Sequence, residues 1–106
     1  MGIQLLEPRR VRHPRGAYGW VELRFVTQGY LERVGRDAAL VYLFLCAVGD
    51  RQGISFWSRA KMAQMLHLDR EAIEVSLNRL AASDLVAVKD RVVQVLPIPD
   101  SPDPSL

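Results

Sequence analysis

The chain has little of what several common functions require. It holds one cysteine and two histidines in 106 residues, which excludes an internal disulfide framework and a cysteine-rich zinc site. Its longest apolar run, residues 38–48, is too short to span a bilayer, and residues 1–10 lack the apolar core of a signal peptide. A Gly-rich phosphate loop and a nucleophile motif are missing from the sequence. We therefore predict a cytoplasmic protein without catalytic residues, metal, cofactor or membrane partner.

What the chain does have is enough apolar material for one small core. Leu, Ile, Val and Phe make up 33 of the 106 residues, above the share typical of disordered chains. The formal net charge is only +2, but residues 1–36 hold seven arginines against three glutamates. The densest basic cluster consists of Arg9, Arg10, Arg12 and Arg15. Two interpretations stay open for this cluster: an arm that binds DNA, or a merely solvated tail.

Proline and glycine divide the chain into three parts. Residues 1–19 contain two prolines and three glycines without sustained periodicity, which predicts a flexible basic arm. Residues 99–106 continue a proline-rich stretch that begins at Pro97, which predicts a disordered tail. The folded domain is therefore expected over residues 20–98.

The first half of this domain is dominated by one apolar segment. Residues 21–25 alternate apolar and charged side chains, which predicts a strand, and Thr27 is a plausible N-cap for a short helical turn. A firm helix follows from residue 36 or 37 to Val48 and ends at Gly49. Because its middle is apolar on every face, something must cover more than one side of it.

Two coverings are possible for this helix. Its stripe Leu40, Leu43, Phe44 and Ala47 suffices for packing within the domain, which leaves other large side chains to be covered. We predict a homodimer whose interface contains those other side chains, namely Val41, Tyr42, Leu45 and Val48. In the alternative, residues 20–34 of the same chain seal the helix alone.

The second half of the domain has clear start and stop signals. After a turn at residues 50–53, residues 54–56 form a short strand, and Ser58 caps a helix over 59–66. Asp69 caps a third helix over 70–83, with the buried stripe Ile73, Leu77 and Leu80. Two β-rich runs, 86–88 and 92–95, flank the polar residues 89–91 and predict a hairpin.

The order helix, strand, helix, three-residue turn, helix, hairpin resembles the winged helix-turn-helix superfamily. Residues 62–86 carry the match: an apolar-Ala pair at Met62 and Ala63, a tight turn, a capped helix, and Leu85-Val86 leading to the hairpin. His67 and Asp84 stand where the family usually has glycine, at positions that tend to need a positive φ. The resemblance covers residues 36–96, and within it the long first helix and residues 53–58 look most like replication-initiator modules of plasmids and phages.

The resemblance implies an α+β, mostly helical fold with a three-helix core and a C-terminal β-hairpin wing. It also implies a transcription regulator or replication-initiation accessory that binds double-stranded DNA. The expected contacts are Arg70, Glu71, Glu74 and Asn78 on the third helix, Ser58, Arg59 and Lys61 on the second, Lys89 and Arg91 on the wing, and Arg9, Arg10, Arg12 and Arg15 on the arm.

Each of these contacts has a simpler interpretation. Arg70 and Glu74 can form an i,i+4 ion pair on an exposed face, and Ser58 can be only a helix cap. Lys89 and Arg91 can be polar because hairpin turns are exposed, His67 can serve only to form the turn, and Cys46 is expected to be a small buried hydrophobe. The carboxylates Glu71 and Glu74 favour an alternative function, in which the same fold is an interaction module for a protein partner.

Overall fold

The computed structural model describes residues 4–99 and has an α+β architecture, with five α-helices and a three-stranded antiparallel sheet in that range. A 3-10 turn, Pro8–Arg10, precedes the folded body. The elements of the body are α1 (Arg24–Thr27), α2 (Tyr30–Val34), α3 (Arg36–Val48), β1 (Ile54–Ser55), α4 (Arg59–Leu66), α5 (Arg70–Ala82), β2 (Val86–Lys89) and β3 (Val92–Val95).

The sheet has the order β1-β3-β2, so the last strand lies in the middle. In the hairpin, Val86 pairs with Val95 at the open end and Lys89 pairs with Val92 beside the turn. Gly53, just before β1, accepts a hydrogen bond from the backbone N–H of Val95 at 2.9 Å. The 50–53 turn and the hairpin turn therefore lie at opposite ends of the sheet.

Side-chain caps set the start of both α4 and α5. The Ser58 hydroxyl accepts a hydrogen bond from the backbone N–H of Lys61 at 3.1 Å, and the Asp69 carboxylate accepts one from Ala72 at 2.7 Å. His67 and Asp84 have φ values of 55° and 60°, in the left-handed region expected of these two positions. The predicted elements from residue 36 onward are confirmed to within one or two residues.

The predicted strand over residues 21–25 is wrong. Helical hydrogen bonding begins here, because the N–H of Phe25 bonds to the carbonyl of Glu22 at 3.0 Å and α1 follows. The two charged residues of the alternating pattern, Glu22 and Arg24, form an ion pair with each other, which is a contact within the chain. The N-cap prediction for Thr27 also fails, since Thr27 ends α1 and Gly29, at φ 81°, precedes α2.

Residues 20–34 cover the inner side of α3. The Phe25 ring stacks on Tyr42 with a centroid separation of 4.3 Å, and Tyr30 and Val34 are buried in the same core. This is the alternative in which the same chain seals the helix.

Three of the four predicted dimer-interface residues are consequently inside the chain. Val41, Tyr42 and Leu45 are 0%, 2% and 0% exposed, and Val48 is half-buried. The exposed side of α3 instead carries Leu40 and Leu43, from the stripe that was assigned to packing within the domain. For these residues the two faces of α3 are the reverse of the prediction, whereas Phe44 of the same stripe packs within the domain as predicted, against Trp57.

Specific contacts hold the first and the last residues of the folded body in place. A side chain at Gly19 would come within 2.1 Å of the carbonyl oxygen of Cys46, so only glycine fits beside the end of α3. Ile98 is buried, and its carbonyl accepts a hydrogen bond from Arg24. Residues 4–18 are exposed, and the predicted disordered tail lies outside the described residues except for Pro99. No helix within 4–99 has the length and apolar character of a membrane span.

Candidate nucleic-acid interface

The outer face of α5 presents polar side chains in one row. Arg70, Glu74 and Asn78 follow each other at i, i+4 and i+8, and Glu71 lies beside them. All four are exposed. The opposite side of the helix is buried in the core through Ile73, Ser76, Leu77 and Leu80.

Arg59, the first residue of α4, joins this row to the hairpin turn. Its Nε donates to the Glu74 carboxylate at 2.7 Å, and its Nη2 donates to the backbone carbonyl of Asp90 at 3.0 Å. The side chain is only 15% exposed, and its buried Nη1 has no hydrogen-bond partner among residues 4–99. One guanidinium therefore holds the start of α4, the middle of α5 and the hairpin turn in one surface.

These contacts change two of the interpretations drawn from the sequence. Arg59 was expected to contact phosphate, but its Nε and Nη2 are occupied by internal bonds and its side chain is largely buried. The suggested i,i+4 pair of Arg70 with Glu74 is replaced by the Arg59–Glu74 pair, so the negative charge of Glu74 is offset from a different helix. The sequence pattern of α5 does not predict the Arg59–Glu74 pair, because Arg59 lies 15 residues earlier in the chain than Glu74.

Four basic side chains remain available around the α5 row. Arg70, Lys61, Lys89 and Arg91 are exposed, and within residues 4–99 none of them forms an ion pair or a side-chain hydrogen bond. Lys61 lies on α4, while Lys89 and Arg91 flank Asp90 at the hairpin turn. Glu71 and Asp90 add negative charge beside these cations, which lowers the positive potential of the surface.

The arm arginines are not brought next to the α5 row. Arg9, Arg10, Arg12 and Arg15 are all exposed, and the chain joins the body at Gly19, beside Cys46. Residues 16–20 form one wall of a cavity of about 1250 Å³ whose other walls include residues 49–53 and 94–97. The arm thus starts at the sheet end opposite to the hairpin turn. An extended chain from Gly19 to Arg9 can span about 35 Å.

Arg79 has a role that sequence reasoning missed. Its Nη1 donates to the backbone carbonyl of Val34 at 3.2 Å, which attaches α5 to the end of α2. An exposed arginine on the side of α5 gives no indication of such a contact. The signal that could have found it is the unpaired carbonyl at a helix end, which a nearby arginine often satisfies.

The described part of the chain contains no group of three or more His, Cys, Asp or Glu side chains placed to hold a metal ion. Cys46 is half-buried on α3, and burial raises the pKa of its thiol. The contacts of Arg59 bring α4, α5 and the hairpin turn together in one surface. Comparison with protein-family models, with curated proteins and with solved structures finds nothing that matches this chain.

Proposed function

We propose that this chain is a winged-helix protein that binds double-stranded DNA, as a transcription regulator or a replication-initiation accessory. In this proposal α5 enters the major groove, and the β2–β3 hairpin is the wing that contacts the neighbouring backbone. The observation that carries the proposal is the position of Arg59, which joins α4, α5 and the hairpin turn into one surface. A groove-binding helix needs such fixed neighbours, because phosphate contacts set its register on the duplex.

The residues on this surface divide into base readers and phosphate contacts. Arg70 suits guanine and Asn78 suits adenine, because their side chains match the major-groove edges of those bases. Lys61, Lys89 and Arg91 are exposed cations on α4 and beside the hairpin turn and are the candidate phosphate contacts, while the Ser58 hydroxyl caps α4 by accepting from the Lys61 N–H.

The two carboxylates on α5 are less unfavourable for DNA than their number suggests. Glu74 is paired with Arg59, so its charge is largely neutralised before any duplex approaches. Glu71 remains free and can accept a hydrogen bond from the amino group of cytosine. Together with Arg70, this favours a site rich in G·C pairs.

Salt dependence is the direct test of the proposal. We expect the affinity for a mixed-sequence 30-base-pair duplex to fall steeply between 50 and 200 mM salt, measured by fluorescence anisotropy. The slope against log salt should be about −0.9 for each phosphate neutralised. Single changes Lys61→Ala, Lys89→Ala and Arg91→Ala should each reduce the slope by about one such unit.

Arg51 supplies the matched control. It is an exposed arginine in the 50–53 turn, at the sheet end away from the hairpin turn. Arg51→Ala should leave both the affinity and the slope unchanged. Absence of binding at 50 mM salt with the arm intact, or an equal loss with Arg51→Ala, would contradict the proposal.

The arm makes a separate prediction. Replacing Arg9, Arg10, Arg12 and Arg15 together by alanine should weaken binding to all duplexes by a similar factor, since flexible arginines neutralise phosphate or enter a narrow minor groove. The thermal melt should stay the same, because these residues are exposed in the structure. Unchanged affinity would assign the cluster to a solvated tail.

A second candidate function is an interaction module that binds a protein through the same surface. The close balance of charge on this surface favours it, because Glu71 and Asp90 lie among the basic residues. In that case duplex DNA would bind weakly and without sequence preference. Asn78→Ala distinguishes the two functions. If Asn78 reads a base, the change relaxes the preference for adenine at one position of the duplex; if the surface binds a protein, the change has no such effect.

A further inference from the structure

An apolar groove lies between α2 and α3, away from the surface built by α4, α5 and the hairpin. Its volume is about 550 Å³, and Leu31, Leu40 and Leu43 line it with exposures of 40%, 38% and 47%. Three half-exposed leucines in one place leave apolar surface in contact with water that the fold itself does not cover. Because these leucines line one groove together and are not scattered singly over the surface, they offer an apolar contact to a partner.

The rim of this groove carries one acid and one base. Glu32 and Arg36 both line it. The Arg36 side chain is 95% exposed, and its bond to Asp37 is long, at 3.5 Å. Arg33, the neighbouring base, is placed differently because its guanidinium lies 5.3 Å from the centre of the Tyr30 ring. Arg36 is thus the cation that can reach outward from the groove.

We propose that the occupant of this groove is a second copy of the chain, seated by a twofold axis. In such an interface the same patch meets itself, and each contact occurs twice. The leucines of the two copies pack together at the centre. Arg36 then faces Glu32 of the partner subunit, and the reciprocal pair forms on the other side of the axis.

The charge pattern is what selects a second copy over other partners. A rim with one acid and one base is complementary to itself, whereas a nucleic acid or a strongly acidic peptide would meet Glu32 unfavourably. The proposal does not depend on DNA binding, since none of these residues belongs to the α5 surface. It also replaces the interface of Val41, Tyr42 and Leu45, which are buried in the chain. The small patch predicts a weak dimer, in the micromolar range.

A charge swap tests the twofold geometry. We expect sedimentation equilibrium of the full chain between 1 and 200 µM to show a monomer of 12.0 kDa in equilibrium with a species of twice that mass. Arg36→Glu or Glu32→Arg alone should weaken the dimer on the order of tenfold, because each change turns both symmetry-related pairs into repulsions. The double variant should restore the dimer, since the pairs then form with reversed sign.

A change at the centre gives the larger effect. Leu43→Glu should weaken the dimer on the order of a hundredfold or more, because two charges would be buried at the axis. Met65→Glu on α4 is the control, as Met65 is a similar apolar side chain with 53% exposure outside the groove. It should leave the dimer intact, and both variants should keep the wild-type thermal melt at 2 µM.

Three results would overturn the proposal. The first is a single species of 12.0 kDa at every concentration, which would leave the groove to a different partner or to none. The second is a double charge swap that does not restore the dimer, because a twofold pairing of Arg36 with Glu32 requires restoration. The third is a dimer that Met65→Glu dissociates as strongly as Leu43→Glu. All three can occur while DNA binding by monomers persists, so failure here is distinct from failure of the proposed function.

Discussion

Helices α3 and α5 have the same length, 13 residues each, and pack against one another, yet their outer faces differ in kind. The outer face of α5 carries Arg70, Glu74 and Asn78, while that of α3 carries Leu40 and Leu43. Both inner faces are mainly apolar, with Ser76 on α5 as a buried polar residue. The requirement to fill one core therefore explains the inner faces. The outer faces lie outside this core, and one is polar while the other is apolar.

The difference also shows how each helix is held in place. The inner side of α3 is fixed by packing, as in the stacking of Phe25 on Tyr42. The middle of α5 has in addition a polar attachment, through Arg59 to Glu74 and to the carbonyl of Asp90. Packing is lost when volume is removed, whereas the polar attachment depends on one guanidinium. Mutations can separate the two.

The largest effect is expected on the inner side of α3. Leu45→Ala should lower the free energy of unfolding by about 3 kcal/mol, because Leu45 is 0% exposed and its loss leaves a cavity. Leu43→Ala, two residues earlier and 47% exposed, should cost less than about 1 kcal/mol in the monomer. Urea unfolding at 2 µM compares them. Equal losses would show that the two faces of α3 are not distinguished as the structure has them.

A smaller effect is expected where the polar attachment is broken. Arg59→Met should lower the free energy of unfolding by about 1–2 kcal/mol, since it removes the bonds to Glu74 and Asp90 but keeps the aliphatic volume. The loss is modest because the Glu74 side chain is 52% exposed and water screens the ion pair. Arg70→Met on the α5 row should change stability by less than about 0.5 kcal/mol. A larger loss at Arg70 than at Arg59 would reverse the assignment.

The smallest effect is expected in the pH dependence of the free energy of unfolding, which arises from Tyr42 and Cys46 on α3. Burial raises the pKa of Tyr42 well above its usual range, with Cys46 and Glu22 adding to the rise, and burial raises the pKa of Cys46. A raised pKa favours the protonated form in the folded chain, so this contribution is complete below pH 8. It is lost as the pH rises above about 9–10, where the unfolded chain releases these protons.

The measurement for this dependence is urea unfolding at pH 8 and pH 11. Stability should fall by about 1 kcal/mol more in the wild type than in Tyr42→Phe, because the variant lacks the phenol. Phenylalanine keeps the stacking on Phe25. An identical pH profile for both proteins would show that the Tyr42 hydroxyl is not shielded from water.

The part of the fold that could be predicted is the part with local signals. Ser58 and Asp69 indicate two helix starts, and the polar residues 89–91 between two β-rich runs indicate the hairpin. Each of these features is decided within a few residues. The element bounds from residue 36 to residue 95 consequently agree with the structure.

The predictions that failed concern residues whose contact partner lies far away in the sequence. In residues 21–25 the alternation is real, but only Phe25 is buried, and its stacking partner Tyr42 lies in another helix. For α3, apolar residues on every side leave no periodic signal for the inner face. At the candidate site, exposure of the α5 row was predictable from helical spacing. The Arg59–Glu74 pair was not, because it depends on how α4 packs against α5.

The outer faces of α3 and α5 share no residue, which has a consequence for how two copies would use DNA. Leu43 and Asn78 are both exposed, on helices that pack against each other through their buried faces. Two chains joined through the leucines would therefore each keep an α5 row free. Such a pair would offer two α5 rows to DNA where a monomer offers one, so that one assembly could hold two segments of duplex at once.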